Sequence, residues 1–144
     1  MTLDAKGWDG ADFRGAKVIL ICGDAILVMR RDDIPTIQWP GQWDLPGGKR
    51  DGDESPARCV LRELEEETGL RLAPERLVRG EARPSVSRRG GIGWYFVAEI
   101  TPAEAASVRL GDEGSELRLM PVAEFLADAQ AIAGFKEILR EMLD

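Results

Sequence analysis

The apolar residues of this chain fall into two spacings. Lys17–Cys22 (KVILIC) and Ala25–Arg30 (AILVMR) are nearly continuous apolar runs with β-branched residues, the composition of strands covered on both faces. Gly23-Asp24 between them suits a tight two-residue hairpin of type II′. Trp94–Ile100 (WYFVAEI) is the clearest strand of the second half. Shorter extended segments are read at Gln42–Pro46, where Trp43 and Leu45 alternate, at Leu77–Val86 with an interruption near Pro84, and at Glu116–Met120. Helical spacing governs the remainder. Ser55-Pro56 supplies a cap and a first helical residue, and Gly69 a stop, so a helix should run to about Thr68. Ala57, Val60, Leu61, Leu64 and Thr68 then share one stripe that should face a core. Ala131–Leu143 is a second amphipathic segment, with Ile132, Phe135, Ile138, Leu139 and Met142 on its buried side. Pro121 opens a short helix through about Ala127. Thr101–Leu110 stays open between a helical turn at PAEAAS and an extended VRL, and residues 1–15 read as an arm or short edge segment.

This β-rich order with a central and a terminal helix suggests an α/β protein, its sheet order left open by pattern alone. At 144 residues, without repeats or linkers, the chain is expected to form a single domain over 1–144. No apolar run approaches a membrane span, and the N-terminal stretch lacks the apolar region of a signal peptide, so a cytoplasmic protein without a membrane partner is expected. Cys22 and Cys59 show no paired spacing and read as reduced thiols. Histidine is absent, which removes histidine triads, histidine bases and histidine-containing zinc sites. A net charge of −7 argues against broad binding of duplex nucleic acid. It leaves room for a nucleotide bound through a metal ion.

The central helix carries the chemistry. Glu63, Glu66 and Glu67 fall on an arc beside its apolar stripe, spaced i, i+3 and i+4, where like charges repel and weaken a helix. A hard divalent cation on oxygen ligands would offset that repulsion. Arg62, four residues before Glu66, can orient a carboxylate without itself binding metal. The same residues belong to a longer pattern, G-x5-E-x7-R-E-U-x-E-E-x-G-U with U a bulky aliphatic, matched by Gly48, Glu54, Arg62, Glu63, Leu64, Glu66, Glu67, Gly69 and Leu70. At average residue frequencies such a match arises by chance roughly once in 10¹⁰ starting positions.

On these residues the chain resembles the Nudix hydrolase family, with high specificity over residues 43–70 and diffusely elsewhere. The resemblance implies an α/β/α sandwich with a mixed central sheet and a loop-helix catalytic motif at its edge. It implies Mg²⁺ or Mn²⁺ held by Glu63, Glu66, Glu67 and the Gly47 carbonyl. Glu54 and Arg62 are implied as a pair that keeps loop and helix in register, with Gly48 and Gly69 as structural support. Glu113, in the GDEGSE loop, resembles the remote acid that completes the metal site in many relatives. The general base stays open among Glu63, which is preferred, Glu113 and Glu116. Lys49, Arg30 and Arg31 lie where phosphate-facing cations are expected; Arg88 and Arg89 are further candidates. Trp39 is either a stacking platform for a ligand or a packing residue, and Trp43 reads as core.

The approach WDLPGGK is similar to that of the mutator-type triphosphatases, which release pyrophosphate and a nucleoside monophosphate. Pro84 sits near where ADP-ribose hydrolases carry a proline, which leaves an ADP-ribose or nucleotide-sugar pyrophosphatase as an alternative. An RNA 5′-end pyrophosphohydrolase and a non-catalytic nucleotide-sensing module are further alternatives. The partner is expected to be a small-molecule nucleotide. A homodimer is implied by resemblance only.

Overall fold

Strand β1 (Gly15–Cys22) is the axis of the sheet in this computed structural model, which describes residues 7–87 and 89–143. One edge of β1 runs parallel to β6 (Ile92–Glu99), from Gly15 opposite Gly93 to Ile21 opposite Glu99. Its other edge is divided. The Cys22 end makes the expected hairpin with β2 (Ala25–Arg30), while Gly15–Lys17 pairs antiparallel with β4 (Gly47–Lys49). Beyond β2 lie β3 (Trp43–Asp44) and β7 (Glu116–Pro121), and β5 (Arg79–Pro84) closes the far edge against β6. The sheet is therefore mixed. Pro84 ends edge strand β5 instead of interrupting an extended segment, a place where its missing N–H is tolerated.

Side-chain alternation along β1 and β6 explains the layers. Val18, Leu20, Trp94, Phe96 and Ala98 pack with Ala57, Val60 and Leu64 of α1 (Pro56–Thr68). Ile19, Tyr95 and Val97 face the opposite way, onto Phe125 of α3 (Val122–Ala127) and Phe135, Ile138, Leu139 and Met142 of α4 (Ala133–Met142). The result is the expected α/β/α sandwich, covered on both faces. The open segment near residue 101 resolves as a helix, α2 (Pro102–Ser107), where Thr101 and Glu104 form a capping box; Val108–Leu110 is not a strand. Ile132 is buried as expected, but as the residue that caps α4. Part of the N-terminal arm joins the core: Phe13 is buried, with Trp8 edge-on to it at 6.1 Å. Among the described residues no helix is long and apolar enough to cross a membrane.

Candidate active site

Helix α1 begins and ends where its caps dictate. The Ser55 hydroxyl accepts the Arg58 N–H at 3.2 Å, Pro56 occupies the first turn, and Gly69 adopts φ 80° with its N–H bonded to the Glu65 carbonyl. These limits place the acidic arc beside β4 and the loop that follows it. Two glycines permit the approach. Gly47 has φ 132°, and a Cβ there would collide with the Ala16 carbonyl; a Cβ on Gly48 would occupy the volume of the Glu63 carboxylate. The Gly47 N–H donates to Glu67 Oε1 at 2.8 Å.

Arg62 organises the opposite side of the arc. Its Nε and Nη2 donate to the two Glu54 oxygens, each at 2.8 Å, and Nη2 also reaches the Lys49 carbonyl at 3.0 Å. Nη1 donates to Glu63 Oε1 at 2.9 Å and to Glu66 Oε1 at 3.2 Å. Glu54 further accepts the Asp51 N–H at 2.7 Å, which closes the turn before the helix. One guanidinium therefore binds the loop to two of the helix carboxylates, with a bidentate grip on the third partner.

The electrostatics of the three glutamates differ. Burial pushes Glu67 up to about 8, against the opposing pull of Lys17 and the Gly47 N–H. Glu63 is also raised, by burial first, with Arg62 opposing. Glu66 has its side chain 58% exposed. Hydrogen bonding from Arg62 instead holds Glu54 below the usual carboxylate range. Burial, with Glu54 adding to it, pushes the Cys59 thiol up to about 12, and both cysteines are free.

The acidic loop near residue 113 is brought to the same end of α1. The Arg109 and Gly111 N–H groups donate to the Thr68 and Glu67 carbonyls at 2.9 and 3.1 Å, and Gly111 packs so closely on the Glu66 carbonyl that a Cβ would not fit. The far side of the loop is tied to β2, where Ser115 N–H reaches the Arg30 carbonyl at 2.9 Å, and to Asp32, whose Oδ2 accepts the Gly114 N–H at 3.1 Å. Glu113 lies exposed between these anchors and forms no ion pair among the described residues. Glu116 instead pairs with Arg118 at 3.2 Å.

The expected cations are placed unevenly. Lys49 is exposed beside the loop. Arg30 donates to the Gly41 carbonyl at 2.9 Å and stacks 5.5 Å from the centre of the Trp43 ring, which Arg118 approaches at 4.7 Å. Arg31 is held by the Gln38 carbonyl and Asp44 at 2.7 and 3.0 Å. The Arg89 carbonyl accepts from Arg14 at 3.2 Å, and Arg88 lies outside the described residues. Trp43 is core, at 3% exposure, and Trp39 packs against the same cluster as α4 with φ 48°.

Sequence reasoning missed Lys17 and Asp44. Asp44 is 2% exposed and accepts from both Lys17 and Arg31. The available signal was a lysine inside an apolar run and an aspartate between two buried neighbours, which calls for a partner.

No three acidic side chains among the described residues converge into a ready-made metal cage. The donor set nevertheless suits a hard divalent ion. It consists of oxygens alone, it includes a buried carboxyl whose ionisation a nearby cation would favour, and Gly48 leaves the space that the Glu63 carboxylate fills.

A family model described as the NUDIX domain matches residues 12–142. An RNA pyrophosphohydrolase from Acidiphilium cryptum is 58% identical over 45 residues, covering 31% of this chain and 26% of that protein. An 8-oxo-dGTP diphosphatase from Proteus vulgaris is 34% identical over 59 residues, covering 41% of this chain and 53% of that protein. The chain thus spans a minor part of the first relative and about half of the second. The solved structure of a MutT/nudix family protein from Listeria innocua superposes with a TM-score of 0.72 at 28% identity, covering 92% of each chain. With the family model running from the N-terminal arm through α4, the chain belongs to the Nudix family.

Proposed function

We propose that this chain hydrolyses a phosphoanhydride bond in a compound built on a nucleoside diphosphate, and that a nucleoside triphosphate is its substrate, giving a nucleoside monophosphate and pyrophosphate. The observation that carries this reading is the joint placement of Glu63, Glu66 and Glu67 on one arc of α1, against strand β4, whose Gly47 N–H hydrogen bonds Glu67. Glu63, Glu66, Glu67 and the Gly47 carbonyl would hold Mg²⁺ or Mn²⁺, with Glu113 approaching from its loop. The ion, when bound, neutralises phosphate charge and acidifies an attacking water.

The chain's own residues do the rest. Water oxygen forms a bond to phosphorus as the bridging anhydride bond breaks, and the leaving pyrophosphate takes the electron pair. The water proton passes to a carboxylate, for which Glu63 is first choice. Its partial burial raises its affinity for a proton, with Arg62 opposing, and a stronger proton acceptor is a better general base. Arg62 keeps that carboxylate and Glu66 in place from the Glu54 side. Lys49, exposed at the loop, is available to a substrate phosphate.

The name of the Acidiphilium cryptum relative favours RNA 5′ ends as a second substrate class, whereas the net charge of −7 favours a small nucleotide. Product analysis separates them. Ordinary and oxidised nucleoside triphosphates, ADP-ribose, nucleotide sugars, dinucleoside polyphosphates and 5′-triphosphate RNA are offered with Mg²⁺ and again with EDTA. Pyrophosphate released from a free triphosphate, and suppressed by EDTA, is expected. Turnover of RNA alone transfers the assignment to RNA ends, and cleavage of ADP-ribose to AMP and ribose phosphate transfers it there. Binding without turnover of any compound would replace the enzyme with a sensor.

A further inference from the structure

Lys17 is the charged residue of the run KVILIC, and strand alternation puts it on the same face as Ile19, toward α4. Its ammonium lies 5.8 Å from the centre of the Phe135 ring, yet its hydrogen bonds all go to the segment leading into the glycine loop. Nζ donates to Asp44 Oδ2 at 3.2 Å, to the Leu45 carbonyl at 3.1 Å and to the Gly47 carbonyl at 3.3 Å. An ammonium has three N–H donors. These acceptors occupy all of them, so Lys17 has none left for a substrate phosphate.

Asp44 is itself fixed. Its Oδ1 accepts the Leu45 N–H at 2.7 Å and its Oδ2 accepts Arg31 Nη1 at 3.0 Å. At the other end, the N–H of the Pro46–Gly47 peptide donates to Glu67 Oε1 at 2.8 Å. The Pro46–Gly47 peptide that holds Glu67 has its own carbonyl bonded to the Val18 N–H at 2.9 Å, and the peptides on either side of it, through the Leu45 and Gly47 carbonyls, are both held by Lys17. Gly47 has no side chain to fix it in its neighbourhood, and its φ of 132° is one that L side chains rarely adopt.

We propose that Lys17 is a positioning residue of the cation site: by tying the Leu45 and Gly47 carbonyls to buried Asp44, it fixes the chain on both sides of the Pro46–Gly47 peptide that orients the Glu67 carboxylate. The inference rests on the metal role given above to Glu67 and Gly47. Charge and positioning pull in opposite directions here. As a bare charge, Lys17 repels a nearby dication, so its removal would tighten metal binding. As a positioning residue, its removal loosens the site and weakens binding, as loss of an outer support of a metal site does by about 10- to 100-fold.

The test is Mn²⁺ binding to the full chain, read by electron paramagnetic resonance, for wild type and Lys17→Met, together with steady-state kinetics. Mn²⁺ binding is expected to weaken by about tenfold, with kcat reduced and KM for the nucleotide within about twofold of wild type. Unchanged or tighter Mn²⁺ binding in a folded Lys17→Met chain overturns the inference. A wild-type chain that binds no Mn²⁺ overturns the reading of the site instead, and the inference falls with it. Should Lys17→Met fail to fold, nitrogen-15 NMR of the wild-type lysine ammonium groups decides. One slowly exchanging ammonium signal that shifts on adding Mg²⁺ is expected, and its absence overturns the inference.

Discussion

Helices α1 and α4 cover opposite faces of one sheet with comparable apolar stripes, yet they handle charge in opposite ways. In α4 the charges lie at the rim and find partners of opposite sign: Glu137 with Arg140 at 3.2 Å, and Glu141 with Arg83 at 3.1 Å. Lys136 donates to the Asp128 carbonyl at 2.7 Å. In α1 three glutamates crowd one arc, a single arginine serves two of them, and Glu67 is buried at 8% exposure. A helix that only packs has no use for a buried acid. Conflicts between local stability and local charge are characteristic of functional sites, and of these two helices α1 contains one.

The sharpest way to break the contrast is Glu67→Gln. Turnover should fall by about 10³-fold with the fold retained; a wild-type rate would end the metal assignment. Stability in EDTA should move the other way. The Glu67 carboxyl is raised in the folded protein, from an ordinary 4.5 to about 8, so the folded state favours the protonated form. Its contribution to stability is full below about 4.5 and is lost as pH rises through about 8. Glutamine is neutral throughout, so the variant should melt higher than wild type above that pH and show little advantage at pH 5. Thermal melts in EDTA across that range check the sign.

The α4 counterpart is Phe135→Ala. Phe135 is 3% exposed and packs edge-on to Tyr95 at 6.4 Å between ring centres. Truncation should cost about 3–5 kcal/mol in denaturant unfolding, while Mn²⁺ affinity of the folded fraction changes little. A loss of metal binding as large as that of Glu67→Gln would mean that α4 itself sustains the site, through Lys17 beside Phe135.

The α1 site was legible because its chemistry is local. Glu54, Arg62 and the glutamates lie within one loop and one helix, and Ser55, Pro56 and Gly69 fix the helix ends, so spacing alone places the carboxylates. The layers were legible for a related reason, since alternation in KVILIC and WYFVAEI already demands cover on both faces. What failed to show is non-local. Lys17 meets Asp44 and Gly47 across 27 and 30 positions of sequence, and only the division of the β1 edge between β2 and β4 brings them together. The 109–115 segment docks on α1 through backbone N–H groups of Arg109 and Gly111, and the missing Cβ of Gly111 is its one mark in the sequence. Pro84 is legible as the end of edge strand β5, where a missing N–H is tolerated.

The smallest predicted effect tests the comparison from its bland side. Glu137→Ala removes the partner of Arg140 on α4, where both side chains are more than half exposed. Water screens such a pair and side-chain entropy opposes it, so exposed pairs contribute at most about 1 kcal/mol. For a chain of this size the melting midpoint should shift by less than about 4 °C, with kcat and Mn²⁺ affinity unchanged. The charge removed is an acid on an amphipathic helix, as Glu67 is. A null result here beside a large one at Glu67 would therefore locate the function in where an acid is buried rather than in acidity alone. An activity loss at Glu137 would show that α4 reaches the site through the sheet, and the distinction between the two helices would fail.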